Sequence, residues 1–171
     1  WQTMYDGIQR ANSYLRVIPT MDVLTEEQKN EYMAEARFLR GMFYFTLLDL
    51  YGGVPYYDET TNLNVEYVGL KKPRSSAEEI RAHIISDLNE AVAYLPVRHN
   101  DSDYGRATKG AAYALRGKVY LYNKEWQNAI EDFEEIVNNK SNNYGYGLDA
   151  DYAHIFKLYN GDKSSEMIFS V

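Results

Sequence analysis

One phrase occurs twice in this chain, as Leu39-Arg-Gly-Met-Phe-Tyr44 and as Leu115-Arg-Gly-Lys-Val-Tyr120. An internal repeat constrains the fold before any local propensity does, because a repeated helical unit cannot bury its apolar face alone and must stack on a neighbour. Both copies lie in runs with apolar residues at helical spacing, so the repeat predicts stacked helical hairpins.

The second copy extends into a recognisable pattern. Between residues 109 and 139, Tyr113, Gly117, Tyr120, Ala129 and Phe133 fill tetratricopeptide positions at the spacing of a helix-turn-helix of about 34 residues. Gly117 and Ala129 let two helices approach closely, while Tyr113, Tyr120 and Phe133 fill the groove between them. The first copy keeps Gly41 and Tyr44. Its partner helix waits until Glu78 to Leu95, beyond an insertion over residues 52–75. The expected class is therefore all-α, an irregular set of tetratricopeptide-like hairpins with a long loop insertion. The β-prone run Glu166-Met-Ile-Phe-Ser-Val171 adds an expected short C-terminal strand.

Local signals place the other elements. Met4, Ile8, Ala11 and Leu15 recur at spacings of 3 and 4, predicting a first helix to Val17 that Pro19 closes. Thr25 with Gln28 is a capping box opening a second helix, which Gly52-Gly53 ends. From Phe38 to Leu50 that helix is apolar on nearly every side, so neighbours are expected around its circumference. Ser75 and Glu78 cap a third helix whose stripe is Ile80, Ile84, Leu88, Ala91 and Leu95. A short helical piece is expected near residues 151–158.

With 171 residues, the chain fits one domain over residues 1–171. Its 18 Lys and Arg against 25 Asp and Glu give a formal charge of −7, which argues against a nucleic-acid surface. The absence of cysteine removes disulfides, thiolate metal sites and a cysteine nucleophile. Neither end carries a start or stop feature of its own, and the chain is read as a fragment of a larger protein.

Three groups of residues, read together, carry a family resemblance. They are Trp1-x-x-x-Tyr5-x-x-Ile8-x-x-Ala11-Asn12, Ala34-Glu35-Ala36-Arg37-Phe38-Leu39-Arg40 and Tyr51-Gly52-Gly53-Val54-Pro55. Further on, Pro73-Arg74-Ser75, Gly105-Arg106-Ala107-Thr108-Lys109-Gly110 and Ser165-Glu166-Met167-Ile168-Phe169 continue the same order. The chain thereby resembles the SusD/RagB family of outer-membrane nutrient-binding lipoproteins along essentially its whole length. The resemblance implies a surface-exposed, lipid-anchored protein of a SusD-like α-α superhelix that caps a SusC-like TonB-dependent transporter and passes it oligosaccharide. It also implies that the helices here mainly contact the transporter, and that most of the nutrient site lies elsewhere in a protein about three times as long.

Seventeen tyrosines and two tryptophans are many for this length, and an aromatic face can stack on the apolar face of a sugar. Tyr5, Tyr44, Tyr113 and Tyr120 sit at helix-interface spacing and read as core. Tyr56, Tyr57 and Tyr67 lie in the insertion and are the candidate ligand contacts, with loop packing as the competing role. Trp126 is expected to pack on the hairpin turn. Glu131, Asp132, Glu134 and Glu135 read as the solvated side of an amphipathic helix rather than as a glycosidase pair. Asp101-Ser-Asp103-Tyr-Gly105 opens like a calcium loop, but the glycine comes one place early and Ala112 stands where a bidentate Glu is needed. His83, His99 and His154 are isolated, so no metal or other cofactor is expected. Arg37 and Arg40 require buried partners that the sequence does not name, and Arg106 and Lys109 read as loop anchors or as contacts for an anion.

Two functions follow from these readings. One is a non-enzymatic, glycan-binding lid of an outer-membrane transporter; the other is a tetratricopeptide adaptor gripping a peptide. The long insertion and the apolar groove positions favour the first.

Overall fold

Thr25 opens the second helix as its sequence requires. In the computed structural model the Gln28 N–H donates to the Thr25 hydroxyl and the Thr25 N–H donates to the Gln28 side chain, completing the capping box. The structure describes residues 1–61, 71–138, 144–156 and 164–169. Among them are five α-helices: α1 (Gln2–Val17), α2 (Glu26–Tyr51), α3 (Ala77–Tyr94), α4 (Lys109–Tyr122) and α5 (Trp126–Val137). Short 3-10 turns occupy Ile18–Thr20, Asp101–Asp103 and Tyr152–Phe156. No helix of the described residues is long and apolar enough to cross a membrane. Two compact units result, Trp1–Tyr94 and Leu95–Val171.

In the first unit α2 packs against α1 and α3. The predicted α3 stripe is buried at Ile80, Ile84, Leu88 and Ala91, all at or below 1% exposure, and its last member, Leu95, just past the helix end, is 2% exposed. From α1 the unit buries Ile8, Ala11 and Leu15, and from α2 Phe38, Tyr44 and Leu47. Gly41, in the first copy of the repeat, faces α3: a Cβ there would lie 3.4 Å from Leu88. The spine helix is not enclosed around its circumference, however, since Leu50 in its last turn is 66% exposed.

One boundary agrees with expectation and one differs. α1 ends at Val17, and Pro19 sits inside the 3-10 turn that follows, where its fixed φ is compatible. The third helix is capped one residue later than predicted. Ser76 and Glu79 exchange the capping bonds at 3.1 and 2.8 Å, because the Ser75 N–H is committed to the Val54 carbonyl at 3.0 Å.

The second unit holds the hairpin α4–α5. A Cβ on Gly117 would lie 2.7 Å from the Phe133 ring, so the closest approach of the helices requires glycine there. Tyr113 and Tyr120 are only half-buried, unlike Tyr44. Trp126, expected to cover the turn, is 56% exposed. The turn needs no such cover, since Lys124 takes a left-handed φ of 63° and the Glu125 N–H reaches the Tyr120 carbonyl at 2.9 Å. Asp132 is also not on a solvated face: at 4% exposure it receives two hydrogen bonds from Arg116, of 2.8 and 2.6 Å. The closing run is not a strand over its described residues 166–169, which form turn and bend. A β-prone composition needs a partner edge to satisfy its backbone, and none of the described residues is a strand.

Candidate functional site

Residues 53–61 of the insertion lie along one face of α1, irregular from Val54 to Asp58 and then turning, with the Thr61 N–H donating to the Asp58 carbonyl at 3.1 Å. Hydrogen-bonding side chains on α1 recur at Tyr5, Asn12 and Arg16, spacings of 7 and 4 that keep them on one side of a helix. The carbonyls that accept from them recur at every second residue of the segment. The two periods meet. Tyr5 donates to the Pro55 carbonyl at 2.8 Å and Asn12 to that of Tyr57 at 3.0 Å, while Arg16 donates to those of Glu59 and Thr61 at 3.0 and 2.9 Å. Tyr44, from α2, donates to the Tyr57 carbonyl at 2.9 Å and accepts from the Tyr57 N–H at 2.7 Å. Side chains of α1 and α2, and not a neighbouring strand, therefore satisfy the backbone of this segment.

Beneath it lies the charge that the sequence left unpaired. Arg40 is 4% exposed. It donates to both oxygens of Asp87 at 2.7 Å, to Asn12 Oδ1 at 2.7 Å and to Glu59 at 2.6 Å, so one guanidinium joins α1, α2, α3 and the loop. Burial disfavours its charge, but the bonds it donates to Asp87 and Glu59 outweigh this and hold Arg40 ionised. Burial likewise works against the Glu59 carboxylate, and the Arg40 hydrogen bond holds it below its ordinary value. At Asp87, which is more deeply enclosed, burial prevails and pushes the carboxyl up. Arg37 is simpler, reaching Glu90 at 2.6 Å near the surface.

Of the three predicted ligand contacts, Tyr67 lies outside the described residues. Tyr56 turns inward, its ring stacked on His83 at 3.7 Å and tilted against Tyr44 at 5.0 Å. Burial raises its phenol, against the pull of Arg40. Tyr57 turns the other way, edge-on to Tyr5 at 6.0 Å with Lys72 5.2 Å from its ring centre. Trp1 packs on Tyr5 at 5.1 Å and on Tyr51 at 4.9 Å. Burial, with Tyr57 nearby, pushes the Tyr5 phenol up to about 12, so it stays a neutral donor.

Trp1, Tyr5 and Tyr57 line a cleft of about 270 Å³ together with Gln2, Gln9 and Asn12. Aromatic faces beside amide groups can stack on the C–H face of a sugar ring and hydrogen-bond its hydroxyls. The sequence did not assign Trp1 or Tyr5 to such a cleft. The only advance signal was the crowding of aromatic residues at both ends of α1 and in the loop.

Residues 1–121 match the SusD-like family, described as starch-binding and associating with the outer membrane. The chain belongs to the SusD-like family. A SusD-like protein of Formosa agariphila is 29% identical over 172 residues, covering 100% of this chain and 31% of its own length. A laminarin-binding SusD-like protein superposes with a TM-score of 0.89 at 32% identity, over 99% of this chain and 36% of that one. Surface glycan-binding protein A of Bacteroides thetaiotaomicron, solved with laminarihexaose, superposes with a TM-score of 0.83 at 26% identity, over 99% of this chain and 34% of that one. The chain thus spans about a third of the length of these SusD-like relatives. Its helices and the loop 53–61 are the SusD-like helical framework.

Proposed function

We propose that this SusD-like protein captures an oligosaccharide without altering it and presents it to a TonB-dependent transporter of the outer membrane, to which a lipid anchor holds it at the cell surface. The observation that carries the glycan reading is the cleft of Trp1, Tyr5 and Tyr57 with amides at its rim. Tyr57 and Trp1 form the stacking platform, and Tyr56, wedged on His83, supports the loop that carries it. Binding without turnover agrees with the cleft's chemistry. Among its lining residues Asp6 is the one carboxylate, and Gln2 donates to it at 3.1 Å, whereas glycoside hydrolysis uses two facing carboxyl groups. The family's association with the outer membrane supports the transporter partner.

The test is calorimetric titration of the full-length protein with laminarihexaose and with malto-oligosaccharides, followed by product analysis. One of the two sugars binds and is recovered intact. Tyr57→Ala weakens that binding roughly tenfold, a loss of about 1.4 kcal/mol, while Tyr57→Phe retains it. Hydrolysis, or an unchanged affinity in Tyr57→Ala, would overturn the assignment of this cleft.

A further inference from the structure

A second cleft, of about 320 Å³, lies wholly within the Leu95–Val171 unit. Its walls come from the connection before α4, the segment around Tyr146 and the end of the described chain. The cations there are disposed unequally. Arg106 is anchored on Asp103 at 3.3 Å, which accounts for one of the residues that the sequence left between anchor and anion contact. Arg98 is exposed and has no carboxylate partner among the described residues.

On one side Arg98 packs against backbone. Its guanidinium lies against Gly145, where a Cβ would come within 1.9 Å of Nη2 and where φ is 72°. Only glycine satisfies both conditions, since a side chain would be strained at that φ and would displace the arginine. Next to it Tyr146 is fixed by two contacts. The Tyr146 and Thr108 hydroxyls are hydrogen-bonded at 3.1 Å, and the ring covers Gly110, where a Cβ would lie 2.6 Å from it. Burial raises the Tyr146 phenol, with the Thr108 bond and the Arg98 charge acting against it, so it remains a neutral hydroxyl beside a positive charge. Tyr104 adds a ring that is 52% exposed at the same cleft.

We infer that this cleft binds the anionic substituent of an acidic saccharide, with Arg98 pairing to a uronate carboxylate or a sulfate ester and Tyr104 available to the sugar face. A guanidinium offers a planar fork that matches either oxyanion with two parallel hydrogen bonds. The Ser164 and Ser165 hydroxyls line the same cleft but already donate, to Asp149 Oδ2 at 3.2 Å and to the Gly147 carbonyl at 2.8 Å, so Arg98 is the group that meets the anion. The inference deepens the glycan-binding reading by naming a charge class for the ligand, and it rests on that reading.

The experiment titrates the full-length protein with three oligosaccharides of matched length: neutral laminarihexaose, an oligogalacturonate and a sulfated galactan fragment. Each is measured at low and high salt, for the wild-type chain and for Arg98→Gln. The expected result is that at least one acidic ligand binds the wild type about tenfold more tightly in low salt than in high salt, and that Arg98→Gln abolishes this advantage. Affinity for any neutral sugar bound at the Tyr57 cleft stays unchanged in that variant, and whether the carboxylated or the sulfated ligand responds identifies the oxyanion. Equal loss for neutral and acidic ligands, or an acidic preference that survives Arg98→Gln, would refute the inference while leaving glycan binding intact. If Arg98 instead pairs with a carboxylate elsewhere in the full-length chain, Arg98→Gln lowers thermal stability and leaves ligand preference as it was, which also refutes it. Failure of every saccharide to bind would sink both readings together.

Discussion

Arg40→Met destabilises the protein by about 3–5 kcal/mol, the range for breaking a buried ion pair by removing one partner. The reason is what remains. Asp87, 6% exposed, loses both of its guanidinium bonds, and Asn12 and Glu59 lose theirs. An uncompensated carboxylate in that setting is the main cost, so the double variant Arg40→Met/Asp87→Leu is expected to recover most of the loss. Urea denaturation of the four-member cycle measures this directly. Arg37→Ala is the internal comparison: its bond to Glu90 is near the surface, and exposed pairs contribute about 1 kcal/mol or less. Equal effects at Arg37 and Arg40 would contradict the network. The Glu59 arm also has a pH signature. A carboxyl whose folded value is depressed contributes stability above its unfolded pKa, and that contribution disappears as pH falls through the folded value. The stability gap between wild type and Glu59→Gln therefore closes on acidification.

Gly53→Ala is the second large effect. A Cβ at Gly53 would stand 2.1 Å from the Ser75 carbonyl oxygen and 3.2 Å from the Ala77 N–H. The obstruction is backbone, which cannot rotate away as a side-chain tip can. Accommodating a methyl group forces apart the strap in which the Ser75 N–H donates to the Val54 carbonyl at 3.0 Å, the bond that closes the ends of the insertion. The expected cost is about 1–3 kcal/mol or more, as for other overpacked sites. Because the strap sits at the root of the loop bearing Tyr56 and Tyr57, the variant also loosens the cleft and weakens glycan binding at temperatures where it remains folded. An unchanged melting temperature would show that the strap does not determine the loop's position.

What could be read in advance divides by the range of the interaction. The Thr25–Gln28 capping box and the α3 stripe involve residues within one element, and their periodicity is written in the chain itself. Gly117 was legible because a tetratricopeptide spacing ties it to Phe133. Arg40 was recognisable as a residue in need of partners. Yet Asn12, Glu59 and Asp87 lie 28, 19 and 47 residues away, and no local pattern selects them. Asp132 was misplaced for a related reason: it stands in an acidic run, and only the approach of Arg116 from α4 distinguishes it from Glu131. Ser75 and Ser76 both head an acceptable capping box, and the choice was made by the distant Val54 carbonyl. At the cleft, Tyr57 was a candidate because it lies in a loop, while Trp1 and Tyr5 belong to a helix and read as packing. Their exposure depends on how the segment 53–61 seats on α1. Arg98 gave no signal at all, since its lack of a carboxylate partner among the described residues becomes visible only once those residues are set in space.

A glycan-capturing partner of an outer-membrane transporter is found together with that transporter. The deciding experiment is gentle detergent extraction of the full-length protein from its native outer membrane, with each co-purifying chain identified and its stoichiometry determined by mass spectrometry. The expected result is a large TonB-dependent β-barrel at near-equal stoichiometry, retained when the extract is washed at high salt. Recovery of the protein alone, or with soluble peptide-bearing partners only, would contradict the claim and favour an adaptor of the tetratricopeptide kind.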